Sequence, residues 1–449
     1  MNRIRMLAAA GVVLGTLSAA CRDEPVAPTQ ATVAASLDQA SLRVGDVAGA
    51  RIVKSHRAVL HGDIAHYTFD VAVGPGEHDL IRLHLVVRER RPNRPVDTED
   101  AVFLLPGDPN SFEGVFIEPL ISSVPRWDQS VTAFLAENGI DVWGMDYDWA
   151  LVPAATTDFS FERGWGGQWE MQTVEKGLGV ARRIRVSTGQ GYDRLHLLGF
   201  SYGADLAYRV VGDETQQPLG KRHVKGMIQV DELVMPVNAD SEAAAACALV
   251  PVIQSDLDTC GPKVDASDYA QIGDLAASAP DEVSPYSPPL TNWQFALAAG
   301  ASGDQHFVGG TFDESGTPTG LRYTDPGLWV DVLRAIPHND TPRPVWLDWT
   351  TLECNRFDYH LGQVTIPILY IGAAGGFGGR LAYHDATLTG SKDITRFVVQ
   401  LLPDGQQAYD FGHVDLLTAG HAKQFVWRPL LHWLLAHRSD RSDFARAEQ

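Results

Sequence analysis

One serine stands in a setting that suits covalent chemistry: Gly199-Phe200-Ser201-Tyr202-Gly203. An apolar run of strand length, residues 195–198, precedes it, and residues 204–211 carry apolar positions at helical spacing. Small residues two before and two after the serine let a strand reverse sharply into a helix. That turn holds Ser201 in a strained backbone with its hydroxyl presented outward. In a chain with 42 glycines the five-residue pattern arises readily by chance, so the flanking strand and helix are what make this match specific. A serine hydroxyl is a poor nucleophile at neutral pH and needs a base to take its proton and later return it to a leaving group. Histidine is the usual base, and the chain offers 15.

On these residues the sequence resembles the serine esterase and lipase branch of the α/β-hydrolase superfamily, over about residues 51–438. The resemblance implies the chain order nucleophile, acid, histidine, with the histidine in a loop after the last strand. His413 satisfies it, and Phe411-Gly412-His413-Val414-Asp415 is similar to the Gly-His-x-Asp segment of many relatives, where the aspartate braces the loop. The acid is less direct. Its usual turn, after strand 368–371, reads Gly372-Ala373-Ala374-Gly375-Gly376-Phe377-Gly378-Gly379 and holds no carboxylate. Relatives that place the acid one strand earlier point to Asp231, and a displaced version of the usual site points to Asp385. An aspartate ending that earlier strand is also non-catalytic in many relatives, so both remain open. The oxyanion donors implied are the backbone N–H of Tyr202, at a helix start, and one from the loop 106–110. Pro109 has no N–H, which leaves Asp108, whose carboxylate must then point away from the forming negative charge.

Positioning these residues takes a layered core. Residues 64–73 and 80–87 read as an antiparallel hairpin around the turn Gly74-Pro75-Gly76. Strands then alternate with helices: 101–105, helix 127–137, 140–145, helix 169–186, 195–198, helix 202–211, and 224–230. Such alternation predicts a mostly parallel, doubly wound α/β sheet. The elbow falls on its third parallel strand. The rhythm stops at Asp231 and resumes at strand 368–371, followed by strand 394–402 and a closing helix 419–437. Residues 232–345 therefore read as an inserted cap or lid, with core segments 51–231 and 346–438 on either side. Its aromatics, among them Trp293, Phe295 and Trp329, fit the insert's own packing as well as a substrate wall. Aromatics of 141–149 and 164–169 receive no role.

The first 20 residues carry basic Arg3 and Arg5, an apolar run and small Ser18-Ala19-Ala20, the layout of a secretory leader. Leu17-Ser18-Ala19-Ala20-Cys21 resembles a bacterial lipobox, which implies lipidation at Cys21; cleavage with plain secretion is the alternative. Residues 21–50 read as a flexible tether. The expected location is periplasmic, on the cell surface or secreted. A net charge of −20 repels nucleic-acid backbones and anionic lipid, so the membrane is expected only through the lipid anchor. In an oxidising compartment Cys247 and Cys260 are close enough in sequence to close a loop, two unpaired thiols being the alternative. Cys354 is then left as a small buried side chain. No spacing of cysteine or histidine suggests zinc, and the resembled chemistry needs no metal or cofactor.

The resemblance implies an exported serine hydrolase acting on carboxylic esters, small or lipid, through an acyl-enzyme. Two other readings stay open: an acyltransferase using an alcohol in place of water, and a catalytically inactive binding protein on the same fold.

Overall fold

In a computed structural model, residues 49–98, 100–188, 193–235 and 239–438 are described. The expected leader 1–20, Cys21 and nearly all of the expected tether lie outside them. No helix among the described residues is long and apolar enough to cross a membrane.

The strands are β1 Arg51–His61, β2 Ile64–Ala72, β3 Leu80–Arg91, β4 Asp100–Leu105, β5 Ile140–Asp146, β6 Leu195–Phe200, β7 Val224–Val230, β8 Ile368–Ala373 and β9 Ile394–Val399. They form one sheet in the order β1-β2-β3-β5-β4-β6-β7-β8-β9. The first three and the β3–β5 pair are antiparallel; every later pairing is parallel. The β1 edge strand adds to the hairpin expected from sequence, whose alternation begins only at β2. Every residue of β4, β5, β6 and β8 is buried, because helices cover both faces of a parallel sheet. Alternate side chains split between two cores: Val102 and Leu104 face one, Ala101, Phe103 and Leu105 the other. The helices that matter for the site are α1 Phe112–Phe116, α2 Val131–Glu137, α3 Gly167–Ser187 and α4 Tyr202–Glu214.

Between β7 and β8 the chain makes an excursion built on α5 Ala239–Cys260, α6 Ser267–Ser278, α7 Asn292–Ala301, α8 Pro326–Arg334 and α9 Arg343–Cys354, with short two-stranded ribbons between them. Its aromatics are largely packing groups: Phe295 and Trp329 are buried in one core cluster and Trp349 in the other. Residue 345 falls inside α9, so the last helix of the excursion runs past the boundary expected there.

The disulfide differs from expectation. Cys247 bonds Cys354, whose Cα lies 4.6 Å away, 107 residues on. Cys260 closes the same helix α5 that carries Cys247, and a helix rising about 1.5 Å per residue separates the two by roughly 20 Å. Such a separation is far beyond disulfide reach. Sequence proximity suggested a small loop; helix formation excludes it and packing of α5 on α9 supplies the partner. The closing helix also starts later than expected, as α10 Arg428–Ala436 after a π-helical turn at Lys423–Trp427.

Candidate active site

The turn from β6 into α4 carries Ser201 at φ 55°, ψ −130°. Two close approaches demand glycine around it. A Cβ on Gly199 would lie 2.2 Å from the Gly203 carbonyl oxygen, and one on Gly203 would lie 2.3 Å from that of Leu105. Backbone bonds fix the strained residue from both sides: Ser201 N–H donates to Val230 O at 3.0 Å, and Ser201 O accepts from Ala204 N–H at 2.7 Å.

His413 lies in the loop after β9 and donates from Nδ1 to Asp231 Oδ2 at 2.9 Å. Both are almost wholly buried, at 1% and 0% exposure, and Ser201 is 9% exposed. The imidazole is stacked between Phe200 and Phe377, each with its ring centre 4.4 Å away. Phe200 immediately precedes Ser201, so the elbow itself holds one face of the ring. Among the described residues His413 Nε2 has no hydrogen-bond partner, which leaves it as the nitrogen able to accept a proton.

Asp231 resolves the puzzle of the glycine-rich turn. It ends β7 at φ 53°, and its carboxylate accepts backbone N–H bonds from Ala373 at 2.8 Å, Gly379 at 2.9 Å and Phe377 at 3.0 Å, besides the bond from His413. A Cβ on Gly376 would lie 1.9 Å from Asp231 Oδ2. The turn holds no carboxylate because it is wrapped around one supplied by the neighbouring strand.

Asp385, the other candidate acid, is not at His413. Its oxygens accept from Gln229 Nε2 at 2.7 Å, Val234 N–H at 2.9 Å and Met235 N–H at 2.7 Å, on the chain leaving β7. It serves there as a brace. Asp385→Asn is expected to leave turnover within about threefold of the parent. It should also lower stability by about 1–3 kcal/mol in urea unfolding, because the amide places a donor against three donors. A loss of turnover rivalling that of Asp231→Asn would reverse the assignment.

The loop 106–110 lies against Ser201: a Cβ on Gly107 would come within 2.6 Å of Ser201 Cβ. Tyr202 opens α4, where no intrahelical acceptor exists for its N–H. The Asp108 carboxyl accepts a bond from its own backbone N–H, and burial, with Asp205 nearby, pushes it up to about 7. Asp108 is therefore neutral below that pH and anionic above it, where it would oppose negative charge forming at Ser201. The turnover ratio of Asp108→Asn to wild type is expected to rise as pH passes about 7. The gain is up to about tenfold, or roughly 1.4 kcal/mol at the transition state. A flat ratio across a pH–rate profile would place the carboxyl away from the reacting centre.

The His413 loop has supports that no sequence pattern marked. His413 N–H donates to His306 O at 3.0 Å and Val414 N–H to Phe307 O at 2.6 Å, so the excursion's 306–307 segment pairs with the loop. Asp415 braces it as expected, accepting from Gly412 N–H, Gly309 N–H and Thr324 Oγ1. A lone phenylalanine in a glycine run was the available signal for Phe377; His306 and Phe307 offered none. Beyond the elbow, Trp349 Nε1 donates to Tyr202 Oη at 3.2 Å and the Trp346 ring lies 5.6 Å from that of Tyr202.

No protein-family model matches the chain, and no curated protein matches it in sequence. Among solved structures, a candidate lipase from Sulfolobus solfataricus is 19% identical with a TM-score of 0.60, over 87% of this chain and 99% of that one. A soluble variant of monoglyceride lipase from Saccharomyces cerevisiae is 11% identical, covering 87% of this chain and 97% of its own, with a TM-score of 0.45. An esterase from Thermogutta terrifontis is 12% identical over 83% and 99% of the two chains, with a TM-score of 0.40. The first of these likenesses, the mostly parallel sheet with helices on both faces and the serine at its strand-to-helix turn agree: the chain has the α/β-hydrolase fold.

Proposed function

We propose that the chain is an exported serine hydrolase that cleaves carboxylic esters through an acyl-enzyme. The observation that carries this reading is the buried Asp231–His413 bond of 2.9 Å, with the imidazole stacked on the residue before a strained serine. Asp231 holds His413 with its proton on Nδ1, so Nε2 takes the Ser201 proton as the hydroxyl oxygen attacks the ester carbonyl. The tetrahedral oxyanion is met by the backbone N–H of Tyr202, joined by that of Asp108 as it turns from its own carboxyl. His413 returns the proton to the departing alcohol, then takes one from the water that releases the acid and frees Ser201. The leader and Cys21 support export with a lipid anchor.

The test is hydrolysis of p-nitrophenyl esters of graded chain length, alongside labelling by a fluorophosphonate probe. Labelling confined to Ser201 with ester turnover is the expected result. Absence of both in folded protein would favour the inactive binding reading, and ester transfer to added alcohol in preference to water would favour the acyltransferase.

A further inference from the structure

Asp231 and His413 come from segments that the sheet does not join. Asp231 ends β7, His413 follows β9, and β8 lies between those strands. Their bond of 2.9 Å therefore depends on whatever fixes the glycine-rich turn after β8 against the loop after β9. Part of that support comes from the excursion. Helix α7 ends at Ala301, Gly303 turns the chain at φ 105°, and Phe307 N–H returns to Gly300 O at 2.9 Å. The segment so placed is wedged between the two stretches. On one side Gln305 Nε2 donates to Phe377 O at 2.9 Å and His306 N–H donates to Gly375 O at 2.9 Å, both in the turn that wraps Asp231. On the other side His306 O accepts from His413 N–H at 3.0 Å.

The side chain of His306 adds a third tie. It is 1% exposed, and its Nε2 lies 2.8 Å from Asp410 O, three residues before His413. A backbone carbonyl only accepts, so the imidazole proton sits on Nε2 and is donated. Burial holds this imidazole below the ordinary histidine range, which keeps it neutral with a single N–H. Among the described residues its Nδ1 has no partner. The ring also fills the space over Gly375, where a Cβ would lie 2.3 Å from His306 Cε1. Asp410 is itself anchored, its carboxylate accepting from Leu401 N–H at 3.0 Å and Phe411 N–H at 2.7 Å. One residue thus holds the acid's turn and the base's loop at a single spacing.

We infer that His306 is a positioning residue for the proposed hydrolysis, setting the Asp231–His413 pair through the turn 372–379 and the loop 410–414. The inference rests on the reading of Ser201 and His413 given above. A hydrogen bond weakens steeply as its geometry degrades, and a displacement of about 1 Å at a reacting group can cost on the order of 10² in rate. Losing the Nε2 tie therefore acts on turnover more than on substrate binding.

The experiment separates the side-chain bond from simple filling of space. Glutamine and asparagine both lack the ring, but only the glutamine amide nitrogen reaches the place of Nε2; that of asparagine falls at Nδ1. His306→Asn is expected to lower kcat by about 10- to 100-fold with KM within about threefold, assayed well below its own Tm. His306→Gln should rescue turnover to within about threefold of the parent. Equal losses in the two variants, or no loss in either, would overturn the inference. The parent protein supplies a check that needs no variant: NMR of labelled histidines should show His306 as the Nε2–H tautomer, and a proton on Nδ1 instead would also overturn it. Fluorophosphonate labelling of Ser201 is followed on the same samples. A parent with neither labelling nor turnover loses the hydrolase reading and this inference together, whereas a labelled, active parent whose two variants lose turnover equally removes the role of His306 alone.

Discussion

Ser201→Ala and His413→Ala are each expected to lower ester turnover by on the order of 10⁶, and the double variant to lose no more than either alone. The reason is that the two side chains act as one unit. Without His413 Nε2 the serine keeps its proton, and without the serine the imidazole has no nucleophile to activate. What survives is catalysis by binding and by the backbone donors alone, which no longer depends on the lost pair. Stability separates the two changes. Ser201 holds φ 55°, a conformation that penalises every residue with a Cβ. Ser201→Gly should therefore be as inactive as Ser201→Ala yet more stable by about 1 kcal/mol in denaturant unfolding. Single-turnover kinetics on Ser201→Ala, His413→Ala and the double variant decide the matter. Additive losses in the double variant, or full activity in Ser201→Ala, would remove the covalent mechanism.

Asp231→Asn is expected to reduce turnover by about 10⁴ with far less effect on substrate binding. Four donors converge on this carboxylate: the backbone N–H groups of Ala373, Phe377 and Gly379, and Nδ1–H of His413. Only an acceptor on both oxygens satisfies them. An asparagine must turn its amide N–H₂ toward one of these donors. Facing His413, it forces the proton onto Nε2 and the base is lost. Facing the backbone, it breaks the nest and should lower stability by about 1–3 kcal/mol. The loss of turnover should thus exceed anything that partial unfolding explains, with kcat measured well below the variant's own Tm. An Asp231→Asn variant that keeps its turnover would show that His413 needs no acid here.

The contrast between Asp231 and Asp385 shows how much of the site could be read locally. Both are carboxylates near the ends of the same part of the sheet, and chain order allows either. The difference lies in what surrounds them: Asp231 receives His413, whereas Asp385 receives Gln229 and the turn after β7. The glycine-rich turn 372–379 first reads as a missing acid. In three dimensions it is a socket for the Asp231 carboxylate, a relation that spans about 140 residues and leaves no periodic trace in either segment.

The sequence by itself determined the parts that depend on short-range physics. Strand 195–200, helix 202–214 and the small residues between them specify the elbow, because steric crowding at a tight turn is decided within five residues. The alternation of apolar strands and amphipathic helices specified the parallel sheet, since burial on both faces leaves near-continuous apolar runs. The resemblance to the esterase and lipase chain order, with Gly412-His413-Val414-Asp415, pointed to His413, whose loop follows the last strand. Tertiary structure alone decided the rest. It chose Cys354 over Cys260 for Cys247, because a helix is too stiff to fold back on itself. It brought the 306–307 segment under the histidine loop and wrapped the turn 372–379 around the Asp231 carboxylate. Side chains distant along the chain meet only where packing brings their elements together, and no local pattern encodes that meeting.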